Sequence, residues 1–165
     1  MGNEILSFQS EDMSFGLQIP RNELNSIYKM CSASSNETGG VLIGYYSADL
    51  SWAIVTKATA PPAGSIRKAF TFVREGKSLT RLLDKYWKKK QYYLGEWHFH
   101  PNASAEPSST DRNTMYKLAS TASLHCPEPI LFIIGGNSSK WTFYCSVFVE
   151  KKEIRLFPLE QVLLT

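Results

Sequence analysis

The sequence predicts a mixed α/β domain in which helices pack on a curved, mixed β-sheet. Three observations lead there: apolar residues at helical spacing in three separate stretches, β-rich runs between and after them, and the resulting order α-β-β-α-β-α-β-β-β. From Pro20, Leu24, Ile27, Tyr28 and Cys31 recur at helical spacing and stop in a Ser/Asn-rich stretch before Glu37, which predicts a first helix. Residues 38–46 and 52–59 are β-rich, and the short connection from Ser47 to Leu50 suits an antiparallel hairpin. Pro61-Pro62-Ala63-Gly64 reads as a loop, and Leu79, Leu82, Leu83, Tyr86 and Trp87 mark a second amphipathic helix. Residues 92–100 read as a strand, 111–122 as a third helix, and 129–134, 141–149 and 153–157 as further strands.

Composition narrows the class of protein. A chain of 165 residues has room for one compact domain with its own core and is short for two, so residues 1–165 are expected to form a single domain. With 43% hydrophobic and 20% charged residues it falls among globular rather than disordered or fibrous chains. No run approaches the ~20 apolar residues of a membrane span. The leading MGNEILSFQSEDMSFGL carries acids where a signal peptide carries basic residues, so a cytoplasmic location is expected, with no membrane partner. Cys31, Cys126 and Cys145 are odd in number and form no C-x-x-C pair, which argues against a disulfide framework or a thiolate metal site. A net charge of +3 and a pI near 8.7 fall well short of a dedicated nucleic-acid binder. There is no internal repeat, low-complexity tract or interdomain linker.

The chemistry concentrates in GEWHFHP, residues 95–101. Along a strand side chains alternate, so Glu96, His98 and His100 share one face while Trp97 and Phe99 take the other, the core side. Histidines at i and i+2 on a strand can both reach one ion, because zinc takes imidazole nitrogen at ~2.0–2.1 Å. A polar, helix-free segment then leads to Ser108 and to Asp111, which is predicted in the first turn of the third helix and within reach of the strand end. Two histidines and a carboxylate leave a fourth tetrahedral position open, the arrangement of a catalytic rather than a structural zinc, here one ion per chain. Hydrolysis of an amide also needs a base and an oxyanion donor, for which Glu37, before Thr38-Gly39-Gly40, and Ser108 are the candidates.

The order Glu37 in ETGGVLIG, then GEWHFHP, then seven residues from Pro101 to Pro107, then Ser108-x-x-Asp111, resembles the complete signature of the JAB/JAMM (MPN-type) metallopeptidases. The resemblance covers most of the chain, about residues 24–157, and no motif position departs from the pattern. It implies a JAB/MPN fold in which His98, His100 and Asp111 match the zinc ligands, Glu37 the base and Ser108 the oxyanion residue. Such enzymes cleave peptide or isopeptide bonds after the C-terminal tail of ubiquitin or ubiquitin-like proteins. The chain length, the wording of GEWHFHP and residues 61–72 look most like bacterial members from antiphage operons of cyclic-oligonucleotide-based signalling (CBASS). There the peptidase would release a conjugated nucleotidyltransferase (CD-NTase) from its target amine. The substrate tail is expected to lie extended beside a sheet edge near the zinc, with residues 61–72 flanking the groove, a placement that Ile66→Asp would test.

Each residue alone has an ordinary reading. A single strand histidine is more often hydrogen-bonded structure than a ligand, Ser108 and Asp111 also fit a capping pair, and Glu37 fits a solvated helix end. Glu96 suits an exposed or salt-bridged carboxylate, with a supporting place behind a ligand as the other option. Lys88, Lys89 and Lys90 suit the end of the second helix, and His125 and Cys126 read as structural. Trp141, Phe143 and Phe148 read as core positions of strands. Competing functions are a silent JAB-type scaffold, a peptidase trimming a ubiquitin-like sulfur carrier, and a zinc deaminase, which would need a Pro-Cys-x-x-Cys that this chain lacks.

Overall fold

Two short strands precede the first predicted helix. β1 (Ile5–Gln9) and β2 (Gly16–Pro20) alternate buried Leu6, Phe8, Leu17 and Ile19 with more polar neighbours and pair as an antiparallel hairpin. The computed structural model describes residues 4–60 and 77–159; the loop expected at Pro61 to Gly64 and the segment 61–72 lie outside them. The order continues α1 (Arg21–Ser32), β3 (Thr38–Tyr46), β4 (Trp52–Ala58), α2 (Lys77–Trp87), β5 (Tyr92–Pro101), α3 (Ser109–Ala119), a 3-10 turn (Ala122–Leu124), β6 (Ile130–Asn137), β7 (Lys140–Val149) and β8 (Lys152–Pro158). Apart from β1 and β2, every element stands where the sequence predicts it, with shifted ends.

The strands run β1-β2-β4-β3-β5-β6-β7-β8 and close on themselves through β1 and β8, so the curved sheet becomes a barrel. It is mixed: β2 with β4 and β5 with β6 are parallel, and the other pairs are antiparallel. The closed order limits where an added strand could pair. Among the described residues, β4 pairs with β2 only over Trp52 to Ile54, and beyond that the Ala58 N–H is taken by the carboxylate of Glu23 on α1, at 2.9 Å.

The sheet buries two apolar clusters on opposite faces. Leu24, Ile27 and Cys31 of α1 pack with Leu42, Leu94, Trp97, Phe132 and Val147 on one side. Leu79 of α2 and Met115 and Leu118 of α3 pack with Val41, Ile43, Leu131 and Phe148 on the other. Phe148 is core as expected, whereas Trp141 and Phe143 pack against the first cluster from partly exposed positions. The three cysteines are buried and unpaired. No described helix is long and apolar enough to cross a membrane.

Close approach of backbones explains the glycines around the central strands. A Cβ on Gly40 would lie 2.1 Å from the Thr59 carbonyl oxygen and one on Gly39 2.4 Å from that of Trp97. Both residues extend β3 directly against β5, so Thr38-Gly39-Gly40 belongs to the strand, as the β-rich reading of residues 38–46 expects. Gly95 has φ +148°, and a Cβ there would fall 1.9 Å from the Ile130 carbonyl oxygen. It sits at a bulge where the register of β3 against β5 shifts between Leu42 and Ile43. The extra residue reverses the alternation upstream, so Tyr93 joins the cluster under α2 and α3 while Leu94 joins that under α1.

Candidate active site

The face of β5 that meets α3 carries the predicted constellation. Trp97 and Phe99 pack into the α1-side core, and the intervening Glu96 and His98 are buried on the other side of the strand. Past His100 the chain turns over β6: the Asn102 N–H donates to the Gly136 carbonyl at 2.8 Å, and the Gly136 N–H to the Ala103 carbonyl at 2.9 Å. Gly135 and Gly136 leave that turn room, since a Cβ on Gly135 would stand 2.6 Å from the Ala103 carbonyl oxygen. Neither glycine drew attention in the sequence, yet together they fold residues 102–108 back toward β5.

That return places Ser108 as the N-cap of α3 and Asp111 as its third residue. The Ser108 hydroxyl accepts from the Asp111 N–H at 3.0 Å, and the Asp111 carboxylate accepts from the Ser108 N–H at 2.7 Å, a capping box with Asp in the usual Glu position. The helix therefore begins at Ser109, two residues earlier than expected, and ends at Ala119, three residues short of the predicted 122, ahead of the separate 3-10 turn. Arg112 anchors the arm: it donates to the Pro107 carbonyl at 2.8 Å and to Glu153 on β8 at 2.6 Å, and Glu153 also accepts from the Tyr144 hydroxyl at 2.6 Å.

His98, His100 and Asp111 come together. The His98 Nδ1 lies 3.2 Å from Asp111 Oδ1, and the His100 Nε2 lies 3.7 Å from Asp111 Oδ2. The remaining ring nitrogens are held from outside: His98 Nε2 stands 3.0 Å from Glu96 Oε2, and His100 Nδ1 stands 3.1 Å from the Ser104 carbonyl oxygen. Glu96, read from sequence as an exposed or salt-bridged carboxylate, is wholly buried and paired with His98; its Oε1 has no hydrogen-bond partner. The shared strand face was the signal for this contact, but alternation does not say which face α3 covers. Glu37 is exposed, one residue before Thr38, which pairs with Phe99 as Gly39 pairs with His98. It thus borders the end of β5 that carries His100, and among the described residues it makes no hydrogen bond or ion pair.

Charge dominates the site. Burial, the largest single influence on His98, favours its neutral form, but hydrogen bonds and charges from Asp111 and Glu96 outweigh it and hold the imidazole up at about 9. Burial likewise pushes the Asp111 carboxyl up, and is overcome by His98 and by the Ser108 N–H and hydroxyl, so the group stays well below the ordinary carboxylate range. Burial, with the charge of Glu96 adding to it, raises the Tyr93 hydroxyl well above its ordinary range.

Two imidazoles and a carboxylate are donor types that zinc takes. Bonds of ~2.0–2.1 Å in a tetrahedron place ligand atoms roughly 3.3–3.4 Å apart; the separations here, 3.2 Å to Asp111 Oδ1 and 3.7 Å to Asp111 Oδ2, bracket that value but run to different oxygens of the carboxylate. Each histidine also directs one nitrogen to that carboxylate and gives the other to an outer acceptor, the usual way of orienting metal-binding imidazoles. As they stand, the side chains are held by one another, and no three donors among the described residues surround a common point. His125 lies away from this set, exposed beside Trp87, and Cys126 is buried 3.6 Å from the Tyr46 hydroxyl.

The chain can be compared with known proteins in sequence and in fold. Residues 23–146 match the family described as prokaryotic homologs of the JAB domain. A CD-NTase/cGAS isopeptidase of Enterobacter hormaechei is 41% identical over 133 residues, covering 80% of this chain and 74% of the relative. A probable metalloprotease of Sinorhizobium fredii is 30% identical over 128 residues, covering 74% and 77%. The solution structure of protein DSY2949 from Desulfitobacterium hafniense is similar in fold, with a TM-score of 0.56 and 20% identity over 85% of this chain and 87% of that one. The chain belongs to the family of prokaryotic homologs of the JAB domain.

Proposed function

We propose that this protein is a zinc isopeptidase that cleaves after the C-terminal tail of a ubiquitin-like or similarly conjugated protein, and that its conjugate in the cell is a CD-NTase of an antiphage system. The observation that carries the chemistry is the convergence of His98 and His100 on the Asp111 carboxylate, each with its second nitrogen held. The relatives named CD-NTase/cGAS isopeptidase support the substrate class.

In this reading His98, His100 and Asp111 hold the ion, which when bound supplies Lewis acidity to water and to the scissile carbonyl. Glu37, solvent-facing at the rim of β5, takes the proton of the attacking water and passes it to the departing amine. Ser108 donates its hydroxyl to the oxyanion that forms. Here that proton is directed at Asp111 Oδ2, at 2.8 Å, while the Ser108 N–H serves the same oxygen. The backbone donor can keep Oδ2 satisfied while the hydroxyl turns to substrate.

The test is cleavage of a CD-NTase C-terminal fusion to a reporter, alongside zinc content, in wild type, Glu37→Ala and Asp111→Asn. About one zinc per chain is expected in wild type and in Glu37→Ala, with cleavage by wild type alone and at least a 100-fold loss in Glu37→Ala. Asp111→Asn should lose both metal and cleavage. Zinc without cleavage of this fusion, but with cleavage of a sulfur-carrier tail, would transfer the chemistry to carrier trimming, and a wild type without zinc would refute the reading.

A further inference from the structure

We propose that Glu96 is a positioning residue of the metal site, fixing the His98 imidazole with Nδ1 toward Asp111. The proposal rests on the reading of His98, His100 and Asp111 as metal ligands. Glu96 has no exposed surface, and its backbone pairs with Val41 on one side and Leu131 on the other. A carboxylate in such a place forgoes hydration, and an aliphatic residue there would incur no such cost. Only one of its oxygens is compensated: Oε2 meets His98 Nε2 at 3.0 Å, whereas Oε1 has no hydrogen-bond partner. A buried acceptor left half-satisfied in a strand interior is a cost to folding that a contribution to the site would explain.

The geometry states that contribution. An imidazole has two nitrogens, and the one that donates N–H decides which lone pair is left for an ion. With Nε2 committed to the Glu96 carboxylate, Nδ1 is the nitrogen that faces Asp111, at 3.2 Å. A negative acceptor also makes the ring a better electron-pair donor than a neutral one does. His100 receives the neutral kind of support, from the Ser104 carbonyl, so the two histidines are unequal and His98 is the one held by charge. Leu131 and Val41, the strand neighbours of Glu96, are both buried and apolar; the Tyr93 hydroxyl is a further polar group that its charge reaches, but neither that hydroxyl nor Glu96 Oε1 has a hydrogen-bond partner, so the His98 ring is the contact that engages the carboxylate.

The experiment measures zinc affinity of the full chain by competition with a chromophoric chelator, for wild type, Glu96→Gln and Glu96→Leu, together with the melting temperature of each metal-free protein. Glu96→Leu is expected to weaken zinc by about 10–100-fold. Glu96→Gln keeps an oxygen acceptor for Nε2–H but loses the charge and is expected to fall between Leu and wild type. The metal-free melting temperature of Glu96→Gln should stay close to that of wild type, because an orienting contact is not what holds the strand in place. Wild-type affinity in a folded Glu96→Leu overturns the proposal, as does an unfolded Glu96→Leu accompanied by a Glu96→Gln that binds zinc as wild type does, the mark of a packing role. Should wild type take up no zinc at all, the ligand reading itself fails, an outcome distinct from the failure of Glu96 alone.

Discussion

His98 is the residue on which the site's behaviour with pH turns. Its folded pKa, held up at about 9 by Asp111 and Glu96 against burial, lies above the ~6.5 of a free histidine. A raised folded pKa contributes stability that is fully present below about pH 6.5 and is lost as pH rises through 9. Asp111 has the opposite sign: its depressed pKa stabilises the folded chain above the ordinary carboxylate range and is lost on acidification. The metal-free protein is therefore expected to melt at progressively lower temperature between pH 6.5 and 9.5, and Asp111→Asn should flatten that slope. If His98 is a ligand as proposed, a metal must replace its proton, so zinc binding near pH 7.5 should release close to one proton from this ring, and affinity should climb with pH across the same window. Calorimetry in two buffers of different ionisation enthalpy reads the proton count, and a count of zero from the apo protein would mean that His98 is already neutral.

Among the elements, β5 is the one whose local geometry is least forgiving. Its bulge at Gly95 combines φ +148° with a Cβ position 1.9 Å from the Ile130 carbonyl, so neither the backbone nor the neighbouring strand can accept a side chain. Gly95→Ala is expected to cost on the order of 3 kcal/mol or more, read by chemical denaturation, and to perturb Tyr93, which the bulge directs to the same side as Glu96. Substitution with a cost under about 1 kcal/mol would show that β5 can shift its register freely. His98, His100, Ser108 and Asp111 were legible in the sequence because short spacings on a strand and at a helix start fix their relative directions. The bulge was not, since a glycine between Leu94 and Glu96 has the same letter whether it turns, kinks or merely fits. The burial of Glu96 was hidden for a related reason: alternation groups it with His98 but says nothing of the helix laid across them. β1 and β2 escaped because five-residue strands with Ser7, Gln9 and Gln18 at their outward positions give little periodic signal.

For the molecule as a whole, closure and metal binding depend on contacts far apart in the chain. β1 meets β8 over two residue pairs and β2 meets β4 over three, so the N-terminal hairpin is joined to the rest by the narrowest ladders of the barrel. What holds it is burial: Phe8 is 2% exposed and its ring lies 5.6 Å from that of Phe132, edge to face. Phe8→Ala should therefore cost about 3–5 kcal/mol by denaturant unfolding, and a smaller loss would mean that the hairpin is dispensable to the core. Such closure is invisible in the sequence because both its partners, residues 8–9 and 157–158, are ordinary strand ends that meet only after everything between them has folded.

Metal binding joins the same distant parts. The donors proposed for it sit on β5 and α3, and α3 is tied to β8 through Arg112 and Glu153, so an ion held there would draw strand, helix and barrel wall together. Mass action sets the size of the effect: zinc at 100 times its dissociation constant should stabilise the folded chain by about 2.7 kcal/mol, provided the unfolded chain binds weakly. Chelation should lower the melting temperature of wild type, zinc should restore it, and Asp111→Asn should show neither response. Arg112→Ala separates the ion from the scaffold that presents it. It leaves all three donors in place but loosens the arm, so the metal-dependent rise in melting temperature should shrink without vanishing. An undiminished rise would show that β5 and the capping box alone fix Asp111, and that the tie to β8 serves only the barrel.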